Sequence, residues 1–271
     1  MLLDELTPPL VKKIIRKAIK PVRVYDSHDK ALEVIGHQGY DNQALIDLIY
    51  AKTKNYIQEI NQHQILPLAT HHLFLLSVIG IMQKSTIKVL DFGGAFGTHY
   101  FLTKAFYPNI TFDWTVIELP QLVHMGQNLE NDELKFLDIQ NNFEDPIGSF
   151  DLVLTSGALQ HMPNPEQTLS FLAKHQANYI ALLRLGVNLS AHDLWAIHRV
   201  HLKDCGPGKC PDNPPQGIAA FPFCLMSEQG VKRSLNNYEV VLSCVEQSGT
   251  IALPGYDIRG FNNLYQFRGQ A

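Results

Sequence analysis

The chain is poor in the features that would take it out of the ordinary globular class. Its 271 residues include four cysteines, and Met1–Leu10 carries acids and prolines where a secretory leader would carry a basic and then an apolar region. The expectation is a reducing compartment, the cytoplasm. The longest apolar stretch, Leu73–Met82, is about half of the roughly 20 residues a membrane-spanning helix needs, and it reads as a buried helix. There is no basic excess: 22 Lys and Arg against 26 Asp and Glu give a formal charge of −4, which argues against a general nucleic-acid binder. Internal repeats and low-complexity tracts are absent as well.

What is present centres on Val89-Leu-Asp-Phe-Gly-Gly-Ala-Phe-Gly-Thr-His-Tyr100. An apolar run, Ile87, Val89 and Leu90, meets Asp91, then the small residues Gly93, Gly94, Ala95 and Gly97, then a helix-like run from Thr98. This reads as strand, tight turn and helix start, where glycines allow positive φ and the helix N-terminus offers unpaired N–H groups. A pyrophosphate gains nothing from Asp91. An ammonium does, and an amino acid joined to a nucleoside fits such a turn. A second run, Phe112, Trp114, Val116 and Ile117, ends in Glu118. In a βαβ unit an acid at that strand tip accepts hydrogen bonds from a ribose. A nicotinamide fingerprint counted from Gly93 would need glycines where Ala95 and Thr98 stand.

On these residues, with Trp114-Thr-Val-Ile-Glu118 and Phe150-Asp-Leu-Val-Leu-Thr-Ser-Gly-Ala-Leu-Gln-His-Met-Pro163, the chain resembles the class I S-adenosylmethionine-dependent methyltransferases. More narrowly it is similar to a family of predicted methyltransferases found among bacterial surface-polysaccharide genes. The broad resemblance covers about residues 88–185. Ala95 departs from it, standing where the pattern has its middle glycine. The resemblance implies an α/β fold with a doubly wound, mostly parallel seven-stranded sheet, the last strand antiparallel. It implies S-adenosyl-L-methionine as cofactor, held by Asp91, Gly93, Gly94, Ala95, Gly97, Glu118, Asp138, Ile139 and Ser156, the last three by analogy of position. His161, in the loop after the fourth strand, is the first candidate for a general base, since a neutral imidazole can take a hydroxyl proton near neutral pH.

The rest of the chain is read around that core. Residues 1–84 are expected as an N-terminal helical cap and 85–271 as the catalytic-type domain. Within the cap, residues 8–20 form an amphipathic basic helix, either solvated on its charged face or resting on anionic lipid at the inner face of the membrane. Asp41 is expected to cap a helix running to about Asn61, and His71 and His72 open the apolar helix that follows. Asn178–Leu185 reads as the fifth strand, with Arg184 near its tip facing an acidic group or simply solvent. Residues 186–223, rich in Gly, Pro and His, read as an irregular lid or acceptor-recognition insertion carrying His192, Asp193, Trp195, His198 and His201. His198, His201, Cys205 and Cys210 have zinc-ligand chemistry, but their spacing matches no common finger, so free thiols or a disulfide stand beside that reading and no metal site is assigned. Ser227 is expected to cap a helix, followed by closing strands at Tyr238–Val245 and Leu264–Phe267.

The expected activity is methyl transfer to a small-molecule or saccharide hydroxyl. The Ser-Gly-Ala-Leu of the loop at 156 lacks the Asn/Asp-Pro-Pro-Tyr of amide and adenine methylation and the Pro-Cys of cytosine methylation. A non-catalytic binding or scaffold protein on the same fold is the rival reading. The sequence sets neither the acceptor nor the oligomeric state.

Overall fold

A computed structural model describes residues 23–36, 42–62, 68–138, 145–246, 250–251, 253 and 255–269. The basic stretch 8–20, Asp41 and Ile139 lie outside the described residues.

Among the described residues three helices precede the sheet: α1 (His28–Ile35), α2 (Gln43–Asn61) and α3 (Thr70–Met82). The side chain that caps α2 is that of Asn42, accepting from the Leu45 N–H. After β1 (Thr86–Phe92) the chain alternates through α4 (Thr98–Phe106), β2 (Thr111–Ile117), α5 (Pro120–Gly126), β3 (Leu134–Leu137) and β4 (Leu152–Ser156). It continues through α6 (Pro165–Lys174), β5 (Tyr179–Asn188), β6 (Leu194–His201), β7 (Ile218–Ser227), α7 (Glu228–Ser234), β8 (Tyr238–Val245) and β9 (Ile258–Phe267). Strands β3, β2, β1, β4 and β5 lie side by side and all parallel. Beyond β5 comes β9, antiparallel to it along its length, and then β8, antiparallel to β9. The seven strands thus lie in the order 3-2-1-4-5-9-8, the doubly wound, mostly parallel arrangement expected from the sequence.

The pattern follows from burial on both faces. Leu90, Phe92, Val153, Ile180 and Leu182 meet α6 and α7 through Leu169, Leu172 and Val231. The alternate residues Ile87, Val89, Leu152, Leu154, Ala181 and Leu183 meet α3 and α4 through Leu75, Val78, Ile79 and Tyr100. Near-continuous apolar runs are what a strand covered on both sides requires.

One expectation is corrected. The insertion after β5 is not irregular: β5 runs on to Asn188, and β6 and β7 form an antiparallel hairpin paired from Leu194↔Leu225 to His201↔Ile218. This hairpin joins the sheet only where Val187↔Met226 and Asn188↔Ser227 pair β5 with β7. Only its connection, around residues 202–217, lacks strand. The Pro and Gly there hide two strands that are themselves strongly apolar.

The hairpin leans over the turn that follows β1. Leu202, Ala219 and Phe221 pack with Leu45, Ile46, Leu48 and Ile49 of α2, and between them sits Phe96, fully buried, its ring 5.0 Å from that of Tyr50. Lys52 on α2 is 4% exposed and donates to the carbonyls of Lys203 at 3.0 Å and Cys205 at 2.6 Å. The fold therefore clamps the turn between α2 and the hairpin.

Candidate functional site

The strand order reverses between β1 and β4, and in open α/β sheets ligands bind beyond the strand tips at such a switch point. The turn Gly93–Gly97 lies there. Gly93 (φ 69°) and Gly97 (φ 73°) take the left-handed conformation, and so does Ala95 (φ 48°), the residue that departs from the glycine pattern. Left-handed backbone costs an L-residue roughly 1–2 kcal/mol, so Ala95 is held there by its surroundings. Those surroundings include Glu118, whose Oε1 accepts from the Ala95 N–H at 2.9 Å while Oε2 accepts from the Leu119 N–H at 3.0 Å. The tip of β2 is thereby tied across the turn. Gly97 starts α4 with no side-chain cap, which leaves first-turn N–H groups for another acceptor.

Glu118 is half-buried at the strand tip. Burial pushes its pKa up to about 7, the two backbone donors and their pull toward the ionised form notwithstanding, and the nearby Asp91 charge adds to the rise. A carboxylate in that position is short of donors. The two hydroxyls of a ribose would supply them, so the residues present fit a nucleoside there.

The glycines serve the packing more than the sequence suggests. A Cβ on Gly93 would lie 2.2 Å from the Ala158 Cβ, one on Gly94 would lie 2.5 Å from Asp91 Oδ2, and one on Gly97 would lie 3.2 Å from Leu134 Cδ2. Their side-chain faces are filled by the chain, and the Gly93 and Gly97 N–H groups donate to the carbonyls of Ile117 and Gly94.

The reading of Asp91 as a direct ammonium ligand is revised by its burial. It is fully buried beneath Gly94, its Oδ2 bonded to His99 Nδ1 at 3.0 Å and Trp114 Nε1 at 3.3 Å, while Oδ1 finds no protein donor. It pins α4 and β2 to the turn. Asp138 sits at the tip of β3, beside Glu118, whose N–H donates to the Leu137 carbonyl.

Ser156 ends β4 on the other side of the turn, 4% exposed. It is gripped by Arg184, whose Nε reaches Ser156 Oγ at 3.0 Å and whose Nη2 reaches the Ser156 carbonyl at 2.8 Å. Arg184 has φ 52° and lies in the irregular register between Leu182 and Leu185, a bulge that aims its side chain back across β4. His161 follows in a short 3-10 turn, Leu159–His161. Its Nδ1–H donates to the Pro222 carbonyl at 3.0 Å, and its ring packs against Phe221, Phe223 and His198. Burial lowers its pKa to about 4, so the ring is neutral at physiological pH.

The sequence reading missed two features. One is a polar layer under α3, in which Glu246, at the end of β8, faces His71 across 3.7 Å. These residues are 175 positions apart, and only the closing of β8 and β9 on the sheet brings them together. The other is an open cleft of about 370 Å³ between α1, residues 163–167, Asp193 and Trp195. Two of its acids are already engaged, Glu166 with Arg233 and Asp193 with the Ser227 N–H. The thiols of Cys205 and Cys210 turn to the carbonyls of His201 and Lys203, and among the described residues no three His, Cys, Asp or Glu side chains are grouped to hold a metal.

No protein-family model matches the chain, and no curated protein matches it. Among solved structures, the glycopeptide N-methyltransferase MtfA aligns with 78% of this chain and 97% of its own at 13% identity and a TM-score of 0.46. The N-terminal domain of EvdMO1, crystallised in the presence of SAH and D-fucose, aligns with 76% of this chain and 86% of its own at 17% identity and a TM-score of 0.47. An S-adenosylmethionine-dependent methyltransferase from Clostridium acetobutylicum aligns with 81% of this chain and 99% of its own at 9% identity and a TM-score of 0.47. Such likenesses are distant, and the fold and the site stand on the strand order and the side chains described above.

Proposed function

We propose that the protein transfers a methyl group from S-adenosyl-L-methionine to a hydroxyl of a small molecule or saccharide. The observation that carries this reading is Glu118: a donor-poor carboxylate at the tip of β2, hydrogen-bonded to the turn after β1, at the point where the strand order reverses. Glu118 and Asp138 would hold the nucleoside, and the uncapped N–H groups in the first turn of α4, with Asp91 beneath the turn, would receive the amino-acid end. The bound cofactor supplies a methyl carbon already activated by its sulfonium. The protein's task is then to align an attacking oxygen and exclude water, which the clamp of α2 and the hairpin favours.

His161 remains the candidate base. With Nδ1–H committed to Pro222, its basic lone pair lies on Nε2, the nitrogen a base would use. A pKa near 4 makes it a weak base toward a sugar alcohol, so alignment carries more of the rate than proton removal. A place in surface-polysaccharide biosynthesis, a cytoplasmic location and contact of residues 8–20 with anionic lipid rest on the sequence alone. Incubation with radiolabelled S-adenosylmethionine and a panel of saccharide acceptors tests the activity. Label entering a saccharide supports it; cofactor binding with no transfer to any acceptor favours the non-catalytic scaffold.

A further inference from the structure

The face of the sheet covered by α3 and α4 turns polar toward one end of its strands, at a height that differs from strand to strand. The apolar stripes of four strands, Ile87–Val89, Leu152–Leu154, Leu242–Cys244 and Leu264, each give way at the next position on that face to a polar residue: Asp91, Ser156, Glu246 and Asn262. All four are buried, at 0%, 4%, 7% and 0% exposure. A buried polar group costs folding energy unless it is satisfied, and these four stand at staggered heights, Asp91 beside Leu154, Ser156 beside Leu183 and Asn262 beside Cys244.

Part of the layer satisfies itself. Asn262 Oδ1 accepts from the Arg184 N–H at 2.8 Å, and its Nδ2 donates to Glu246 Oε2 at 3.3 Å. Arg184 spends its guanidinium on Ser156. The first turn of α3 roofs the layer with His71 and His72, whose rings lie 4.2 Å apart, and α4 adds His99. Two atoms are left over: Asp91 Oδ1 and His71 Nδ1, both buried and without a hydrogen bond, His71 being 9% exposed. The charged and titratable groups around these atoms are Asp91, Glu246, Arg184 and the three histidines. Burial and the Arg184 charge hold His71 and His72 neutral. The layer thus offers an unmet imidazole nitrogen beside a carboxylate, with the nearby cationic side chain already bonded elsewhere.

A nucleoside held at Glu118, its amino-acid end over the turn after β1, runs from β2 toward β4. Its reactive centre then points at Ser156, Gly157 and the Arg184 side chain that overlies them. We propose that His71 and Glu246 form the acceptor end of the site, receiving the hydrogen bond of an uncharged hydroxyl nucleophile and excluding acidic acceptors by the Glu246 charge. The inference rests on the cofactor reading and adds the specificity-determining pair. Glu246 positions and His71 contacts. A carboxylate or phosphate acceptor would meet like charge in a poorly solvated space and is disfavoured there.

Two cofactor analogues test this without knowledge of the acceptor. S-adenosylhomocysteine carries nothing at the methyl position, whereas sinefungin carries an amine there, a donor placed where it can reach the pair. Calorimetric Kd values for both are compared in the wild type, Glu246→Gln and His71→Gln. The expected result is a loss of sinefungin affinity relative to S-adenosylhomocysteine of about tenfold in Glu246→Gln and at least threefold in His71→Gln. S-adenosylhomocysteine binding itself should change less than twofold, which also reports that the variants are folded. An unchanged ratio in both variants overturns the inference and leaves the cofactor reading standing. Failure of the wild type to bind S-adenosylhomocysteine overturns both.

Discussion

Ala95 shows how one backbone angle shapes the site. At φ 48° it turns its N–H onto Glu118, a conformation that glycine adopts without strain. Ala95→Gly is expected to stabilise the protein by about 0.5–1 kcal/mol, a rise of about 1–4 °C in Tm, because release of strain outweighs the extra freedom of the unfolded chain. A lower melting temperature would show that the methyl group's packing beside Phe96 matters more. Glu118 makes a second residue-scale prediction. Its folded pKa, about 7, lies above the usual carboxylate value, so its contribution to stability is full below the ordinary carboxyl pKa and is lost as pH rises through about 7. Hydroxyl donors favour the ionised form, so nucleoside binding has the opposite sign: affinity should rise from pH 6 to 8 and level off, and Glu118→Gln should abolish that rise. Titrations at three pH values measure it.

Among the elements, the β6–β7 hairpin is where sequence and structure part. The strand after the glycine turn, the acid at its tip and β8 are legible because each is a short apolar run bounded by turn residues, whereas of β9, which starts at Ile258, only the apolar end Leu264–Phe267 was read. The hairpin was not, because the Gly, Pro and His content of residues 202–217 colours the whole insertion. The short apolar runs Leu194-Trp-Ala-Ile197 and Phe221–Met226 carried the missing signal. Even Pro222 fits, since β7 reaches β5 only through Met226 and Ser227. The His71–Glu246 meeting could not have been read, because neither residue has a local pattern that names the other. The hairpin's hold on α2 rests on Lys52. Lys52→Met strands two carbonyls and is expected to cost about 2–4 kcal/mol in all. Hydrogen exchange should then speed up around residues 202–208 while β1 and β4 keep their protection; equal loosening throughout would mean that Lys52 supports the whole core and not the clamp.

On the scale of the whole molecule, the sheet separates two jobs. One face is an apolar core closed by α6 and α7, and the other gives way, at staggered heights, to the buried polar residues Asp91, Ser156, Glu246 and Asn262 beneath α3 and α4. The switch between β1 and β4 would set the proposed cofactor beside those polar residues, and α2 with the hairpin covers the turn. Among the described residues no helix is long and apolar enough to cross a membrane. Any lipid contact would belong to residues 8–20, and sedimentation with anionic liposomes tests it: loss of binding on deleting that stretch supports it, equal binding removes it.

The central claim is that a nucleoside with an amino-acid tail lies across the tips of β2 and β1, held by Glu118. Titration calorimetry of S-adenosylhomocysteine with the wild type and Glu118→Ala tests it most directly. One-to-one binding by the wild type, weakened at least about tenfold by the substitution as two hydroxyl contacts to a carboxylate are lost, is the predicted result. No binding by the wild type, or equal binding by both proteins, would contradict it.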